Sequence, residues 1–324
     1  MNDSMVYLVV WAHKQPAVLS KNQNIYRRGK VNQHCDVGQQ CQVWKLAWES
    51  YELDHFQLTL SRIMDPFKLK RALNGVLPVL KPHGITSAQL LNKLKEKLAE
   101  ELSGTITTQD IKIGHGGTLD TTATGVLTVG VGDGCSKLKC FLHGEKSYLA
   151  RCQLGIATDT YNETGRIIME KEFGHVTKDI LQESLHQFQG RIKQTPPIFS
   201  ALKRKGRRYS DLARDGVDFD IGPRVVHCYE LKLLDFEPPN FTMTIVSGPG
   251  FYVRSLIHDL GQAVGSCAHL SGLQRTRQGP FTLHHSLHED EWRLENVINN
   301  IARFRKKIDK YYKSYESNKR YDRW

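Results

Sequence analysis

An α+β fold is predicted for this chain of 324 residues. Strand-like and helix-like stretches alternate without a regular βαβ rhythm, which argues against a doubly wound sheet. Hydrophobic residues make up 40% of the sequence, a soluble globular balance, and the length admits one large or two ordinary domains with a full core.

Residues 1 to 70 show no sustained period. The stretch NQNIYRRGKVNQHCDVGQQ is polar and rich in Asn and Gln, so this N-terminal extension is expected to be poorly ordered. From Gly75 the texture changes. GVLPVLKPHGITS reads as a short apolar strand that the Lys81-Pro82 turn ends, because proline cannot donate to a ladder. Ser87 then caps a helix in which Leu90, Leu91, Leu94 and Leu98 recur at helical spacing. SYLARCQLG is a second strand, with Tyr148, Ala150, Cys152 and Leu154 on one face. Thr177 precedes a helix whose stripe is Leu181, Leu185 and Phe188 and whose expected C-cap is Gly190. In NFTMTIVSGPGFYVRSLIHDLGQAVG, an alternating strand (Phe241, Met243, Ile245) passes through a Gly-Pro-Gly turn to a helix ending near Gly265. The boundaries that follow are 1–70 for the extension, 71–285 for the organised domain and 286–324 for a basic tail.

A net charge of +11 favours a polyanionic partner, since Lys and Arg gain affinity by releasing counterions from phosphates. Residues 303 to 324 hold nine Lys or Arg against three acids, interleaved with Tyr311, Tyr312, Tyr315, Tyr321 and Trp324. Such a pattern suits phosphates and stacked bases, or a solvated helix. The seven cysteines form no CxxC pair and no zinc ladder, which implies free thiols in a reducing compartment. No signal peptide and no membrane span are read from the N-terminus, so an intracellular place, nucleus or cytoplasm, is expected.

The chemistry concentrates in GHGGTLDTTATGVL, residues 114 to 127, where one carboxylate, Asp120, lies among glycines, threonines and His115. Glycoside hydrolysis needs two carboxylates and a hydrolytic metal site needs several ligands; neither accompanies Asp120. No GK[ST] follows the glycines and their spacing is not GxGxxG, which argues against a phosphate loop. An acid acting alone on a sugar remains: it either traps a cationic anomeric carbon as an ester or takes a proton from the adjacent carbon. Neither route consumes a cofactor, and no metal is expected.

This stretch resembles the catalytic motif of the TruB family of pseudouridine synthases, whose usual form is GH-x-G-T-L-D-P-x-A-x-G-V-L. GVLPVLKPHGITS is similar to the family's KPxGxTS segment, KSYLARCQLGIATDT to its K-x-Y strand, and QTPPIFSALKRKGRRYSDLAR to its PPxxSAxKxxGxRxYxxAR segment. GFYVRSLIHDLG and LQRTRQGPF are similar to its last two motifs, so the likeness spans about residues 75 to 283 in order. It implies a pseudouridine-synthase fold with a mixed, largely antiparallel sheet, flanking helices and an RNA groove. The implied activity is cofactor-free isomerisation of uridine 55 in the tRNA T-loop by a monomer without an obligate protein partner. Uridines in T-loop-like mRNA settings are left open.

The resemblance implies that Asp120 is the catalytic carboxylate, that Tyr148 stacks on the uracil and handles the C5 proton, and that Arg254 pairs with Asp120. His115 would support the flipped-out nucleotides, and Tyr252 and Leu273 would line the uracil pocket. Lys203, Arg204, Lys205, Arg207 and Arg208, around Gly206, would grip the tRNA T-stem-loop; a solubilising loop or an import signal is the plainer reading. Thr121-Thr122 replaces the usual Pro-Leu, a eukaryotic pattern, and Asn162 stands where many members carry Asp. No PUA-type domain is evident after the last motif. Two other readings are a guide-RNA-dependent synthase related to dyskerin, and an RNA-binding or RNA-folding protein in which modification is incidental.

Overall fold

The alternation that begins at Gly75 becomes the edge of a nine-stranded sheet. The computed structural model describes residues 66–102, 107–204, 206–217 and 220–321, all within one compact unit, 60–324. Most of the extension expected to be poorly ordered, with Cys35 and Cys41, lies outside the described residues. Its last residues do not fit that expectation, because helix α1 (Pro66–Ala72) crosses the boundary at 70 and buries Leu69.

Strand β1 (Gly75–Lys81) leads into α2 (Ser87–Glu101), whose Leu90, Leu94 and Leu98 are fully buried. The N-cap of α2 is Thr86 and not Ser87. The Thr86 hydroxyl accepts the Gln89 N–H and the Gln89 side chain answers to the Thr86 N–H, a reciprocal box. Ser87 is thereby free to point elsewhere. β2 (Ile113–His115) and β3 (Thr124–Val131) form a hairpin that carries Asp120 in its loop, and α3 (Leu138–His143) follows. β4 (Lys146–Leu154) alternates as predicted, and the small pair β5 (Ile156–Thr158) and β6 (Ile167–Glu170) comes next.

Thr177 caps α4 (Lys178–Leu185), accepting from the Ile180 N–H. Gly190 is not its C-cap: a 3-10 turn over His186–Phe188 ends the helix, and Gly190, at φ +81°, opens β7 (Gly190–Gln194). β8 (Lys203–Arg204) and β9 (Arg207–Arg208) are a separate two-stranded hairpin ahead of α5 (Tyr209–Arg214). β10 (Arg224–Glu237), β11 (Asn240–Ser247), α6 (Val253–Ala263), β12 (Ala268–Gln278), β13 (Phe281–Thr282) and α7 (Leu294–Tyr321) complete the chain.

The main path of the sheet is β1-β3-β12-β4-β11-β10-β7, with β2 added on β3 and β13 on β12. Among the described strands only β12 and β3 pair in parallel, so the architecture is α+β as the sequence predicts. One core packs α4 and α6 on the inner face of β4 and β11, and another packs α2 and the start of α7 on β1 and β3. A third cluster, with Phe141, Phe281, Phe304 and Ile308, takes the middle of α7. The interleaved aromatics of the tail belong partly to this packing. Tyr311, Tyr312 and Tyr315 lean on the third cluster, and the Tyr311 ring centroid lies 5.2 Å from that of Phe141. Among the described residues no helix is long and apolar enough to cross a membrane.

Candidate active site

The placement of Arg254 begins with Gln194, the last residue of β7. Its amide accepts the Tyr252 N–H at 2.8 Å and donates to the Tyr252 carbonyl at 2.9 Å, which fixes the start of α6 two residues before Arg254. A cation in a first helical turn opposes the helix dipole. Arg254 is nevertheless 5% exposed, and its planar fork makes four contacts inside the protein. Nε lies 2.7 Å from Asp120 Oδ2 and Nη2 donates to Oδ1 at 3.2 Å, a bidentate grip. Nη1 donates to the Thr160 carbonyl at 3.0 Å and Nη2 also to the Phe199 carbonyl at 2.9 Å.

The loop of Asp120 is held along its backbone by buried side chains. Gln278 donates to the Gly116 carbonyl at 2.7 Å, and Arg275 donates to those of Gly117 at 3.0 Å, Thr118 at 3.4 Å and Val126 at 2.7 Å. The Ser87 hydroxyl, released from capping, accepts the Leu119 N–H at 3.0 Å and donates to its carbonyl at 3.2 Å. Past the acid, the Lys81 ammonium spends its three protons on the carbonyls of Pro82, Thr121 and Ala123. Glycine is required where the loop meets β12: a Cβ on Gly125 would stand 2.2 Å from the Arg275 carbonyl oxygen, at φ +112°.

Burial dominates the electrostatics. Desolvation brings Lys81 down to about 8, with Asp120 pulling the other way and Arg275 adding to the fall. Lys146 is held down to about 7 by desolvation and then by Arg275, while its Nζ donates to the Leu142 and Gly144 carbonyls. Tyr148 on β4 is raised by desolvation, which Arg275, hydrogen-bonded to it, only partly offsets. The phenol therefore keeps its proton at neutral pH. Desolvation raises Tyr252 too, against the pull of the neighbouring Ser200 hydroxyl and of the Arg254 charge.

Asp120, Arg254, Tyr148 and Tyr252 thus share one neighbourhood, each acting electrostatically on another. His115, on β2 before the loop, places Nδ1 3.4 Å from the Gly117 N–H. Leu273 packs against the cluster that contains Tyr148. The basic segment stands apart, on the β8–β9 hairpin. There Lys203, Arg204 and Arg207 are exposed and Arg207 is ion-paired with Asp215. Lys205 lies outside the described residues. Asn162, in the place of the family's Asp, uses its amide oxygen as a carboxylate would, accepting from the hydroxyls of Thr160 at 2.6 Å and Thr164 at 2.9 Å. Among the described residues no group of three or more His, Cys, Asp or Glu could hold a metal ion. The five described cysteines are free thiols, four of them buried.

The sequence reading missed the roles of the residues that grip the loop, Lys81, Ser87, Arg275 and Gln278, and of Gln194, which fixes Tyr252. Their signal was a polar side chain where a strand or helix face calls for an apolar one.

Two family profiles match in succession: TruB family pseudouridylate synthase (N terminal domain) over residues 105–253, and tRNA pseudouridylate synthase B C-terminal domain over 254–315. Pseudouridylate synthase TRUB1 of Homo sapiens is 45% identical over 238 residues, covering 71% of this chain and 68% of that protein. A tRNA pseudouridine synthase B of Dehalococcoides mccartyi is 37% identical over 215 residues, 66% of this chain and 68% of that one. Among solved structures, one chain of a Cbf5-Nop10-Gar1 complex superposes with a TM-score of 0.50 at 27% identity. The match covers 70% of this chain and 56% of that one, so little more than half of the solved chain is represented.

Proposed function

As this chain belongs to the TruB family of pseudouridylate synthases, we propose that it isomerises uridine 55 in the T-loop of tRNA to pseudouridine, without guide RNA, as a monomer. The observation that carries the reading is the Asp120 carboxylate, gripped on both oxygens by Arg254 and mounted on a clamped loop. A second support is the 45% identity to TRUB1, set against 27% to the Cbf5 complex chain.

The reaction conserves every atom. The bond from N1 to C1′ breaks, the uracil turns, C5 bonds to C1′, and the hydrogen leaving C5 is matched by one gained at N1. A uridine stacked in an RNA loop must first be extruded to reach a carboxylate. Arg254 fixes the plane of Asp120, and the loop contacts fix its position, so the acid meets the sugar without reorganisation. Its side chain is 40% exposed, open to an incoming ribose. Tyr148 supplies a ring against which the base turns, its hydroxyl held by Arg275. His115 supports the opened RNA loop, Tyr252 and Leu273 line the base pocket, and the hairpin around Gly206 holds phosphates. No cofactor enters this sequence.

Purified protein incubated with an unmodified T-stem-loop RNA and no guide tests the proposal. Pseudouridine at the loop uridine is expected. Product that requires an added guide would favour the dyskerin-like reading, and tight binding without product the RNA-folding one.

A further inference from the structure

We infer that the outer face of the sheet edge formed by β7 and β10 is a platform on which unpaired nucleotides of the folded tRNA stack, nucleotides that lie outside the T-stem-loop. The inference deepens the tRNA reading proposed above and rests on it. β7 is the last strand on the main path of the sheet, and the antiparallel register sets Arg191 opposite His227 and Lys193 opposite Val225. Val226 and Cys228 alternate with these residues on β10 and are buried, so Val225 and His227 face outward with the two cations.

Tyr229 joins them through an irregularity. The β10–β11 register shifts between Cys228 and Glu230, and a bulge of this kind re-aims a side chain. The Tyr229 ring consequently lies on that of His227, with centroids 4.4 Å apart and planes 28° from parallel. The pair is backed by a turn: the Gly248 N–H donates to the His227 carbonyl at 2.8 Å, and a Cβ on Gly248 would stand 3.4 Å from the Tyr229 hydroxyl. Gly248 opens the turn that delivers Tyr252 and Arg254. The chain from Gly248 to Arg254 spans about 20 Å at most, which keeps the platform within reach of an RNA whose target uridine sits at Asp120.

Cations on an edge strand are by themselves a device against pairing with another sheet. Their neighbours here do the reverse: Val225 is 58% exposed and Tyr229 50%, and apolar surface on an edge invites a partner. Arg191 and Lys193 are exposed and, among the described residues, neither has an acid partner. Exposed rings beside uncommitted cations match a single-stranded nucleic acid, in which each base offers a face to an aromatic ring and each phosphate a charge. A paired stem presents its phosphates and grooves, so the rings select unpaired nucleotides. In the reading above the target base meets Tyr148, on the inner face in register with Ile245 and Leu231. The platform lies on the opposite face, two and three strands away, so what stacks there is a different segment of the RNA.

Filter binding and single-turnover conversion of a full-length unmodified tRNA and of the isolated T-stem-loop test the assignment. Tyr229→Ala is expected to weaken binding of the tRNA about tenfold, the weight of one stacked base, and to leave the T-stem-loop unchanged. Tyr229→Phe, which keeps the ring, is expected to bind both RNAs as wild type does. Arg191→Gln/Lys193→Gln is expected to lower the salt slope for the tRNA alone, by about two. Turnover of the bound complex should stay the same in all three, since none touches the Asp120 pocket. The three side chains are exposed, and an unchanged melting temperature checks that each variant folds. Unchanged tRNA binding in Tyr229→Ala and an unchanged slope in the double variant would overturn the platform, as would equal losses on both RNAs. A loss in Tyr229→Phe as large as in Tyr229→Ala would overturn the stacking. Wild-type protein that binds both RNAs and forms no pseudouridine would fail the proposed function itself, a result separate from these affinities.

Discussion

Arg254→Lys keeps the charge beside Asp120 and removes the geometry. The guanidinium makes four contacts, two to the carboxylate and two to the carbonyls of Thr160 and Phe199. An ammonium at the end of a flexible stem cannot span these diverging acceptors. At least one carbonyl and one carboxylate contact are lost. At about 1–3 kcal/mol for a buried acceptor left unsatisfied, and about 1 kcal/mol for the weakened pair, stability should fall by roughly 2–4 kcal/mol. Turnover should fall further. A carboxylate free to swing misplaces its oxygens by about an ångström, which costs on the order of 100-fold. RNA affinity should stay within a few-fold, because a side chain 6% exposed cannot reach a phosphate. Single-turnover conversion of a T-stem-loop, thermal denaturation and filter binding read the three effects separately. Turnover within about threefold of wild type, with the expected drop in stability, would refute the view that the fork orients the acid.

Three further outcomes are expected. Asp120→Asn should abolish pseudouridine formation and leave tRNA affinity within a few-fold, and measured turnover near wild type would remove Asp120 from its role. Lys81, held down to about 8, should give the kcat profile an alkaline limb near that pH, because a neutral amine has only two protons for three carbonyls. Global stability should move the other way: between about 8 and 10.5 the unfolded chain binds more protons than the folded one, so the Lys81 contribution rises with pH. An alkaline limb unchanged in Lys81→Met would exclude this origin. Neutralising Arg204, Lys205, Arg207 and Arg208 should weaken tRNA binding across sequences and flatten its salt dependence without moving the modified uridine, measured by binding at several salt concentrations and product mapping. An unchanged salt slope would show that the hairpin is solvated surface.

Periodicity made most of the fold legible. Alternation found β4 and β11 and leucine spacing found α2, because one face of each is buried, while β1, buried on both faces, showed as a short apolar run. Termini were read less well: Ser87 looks like a cap, and Thr86 with Gln89 takes that place because Ser87 is needed against Leu119. The end of α7 was read as a charged tail because the nine cations of residues 303–324 outnumber the apolar residues there. Phe304, Ile308, Tyr311 and Tyr315 nevertheless recur every three or four residues and pack inward. At the site, motif resemblance supplied Asp120, Tyr148 and Arg254, which residue chemistry alone did not single out beyond the acid. The residues that clamp the loop showed in the sequence only as polar side chains on otherwise apolar faces, because their partners are backbone groups distant in sequence, which leave no trace in the residue alphabet.

The clamps have an electrical consequence. Lys81, Lys146 and Arg275 give their hydrogens to neutral carbonyls rather than to acids, so the charge they hold beneath the loop is offset only at a distance, as by Asp120 at Lys81. A folded RNA arrives wrapped in cations, divalent ones included, and a solitary carboxylate is a ready oxygen ligand for magnesium. A field of that sign should disfavour such ions where the strand meets Asp120 and leave the acid's oxygens to Arg254 and the ribose.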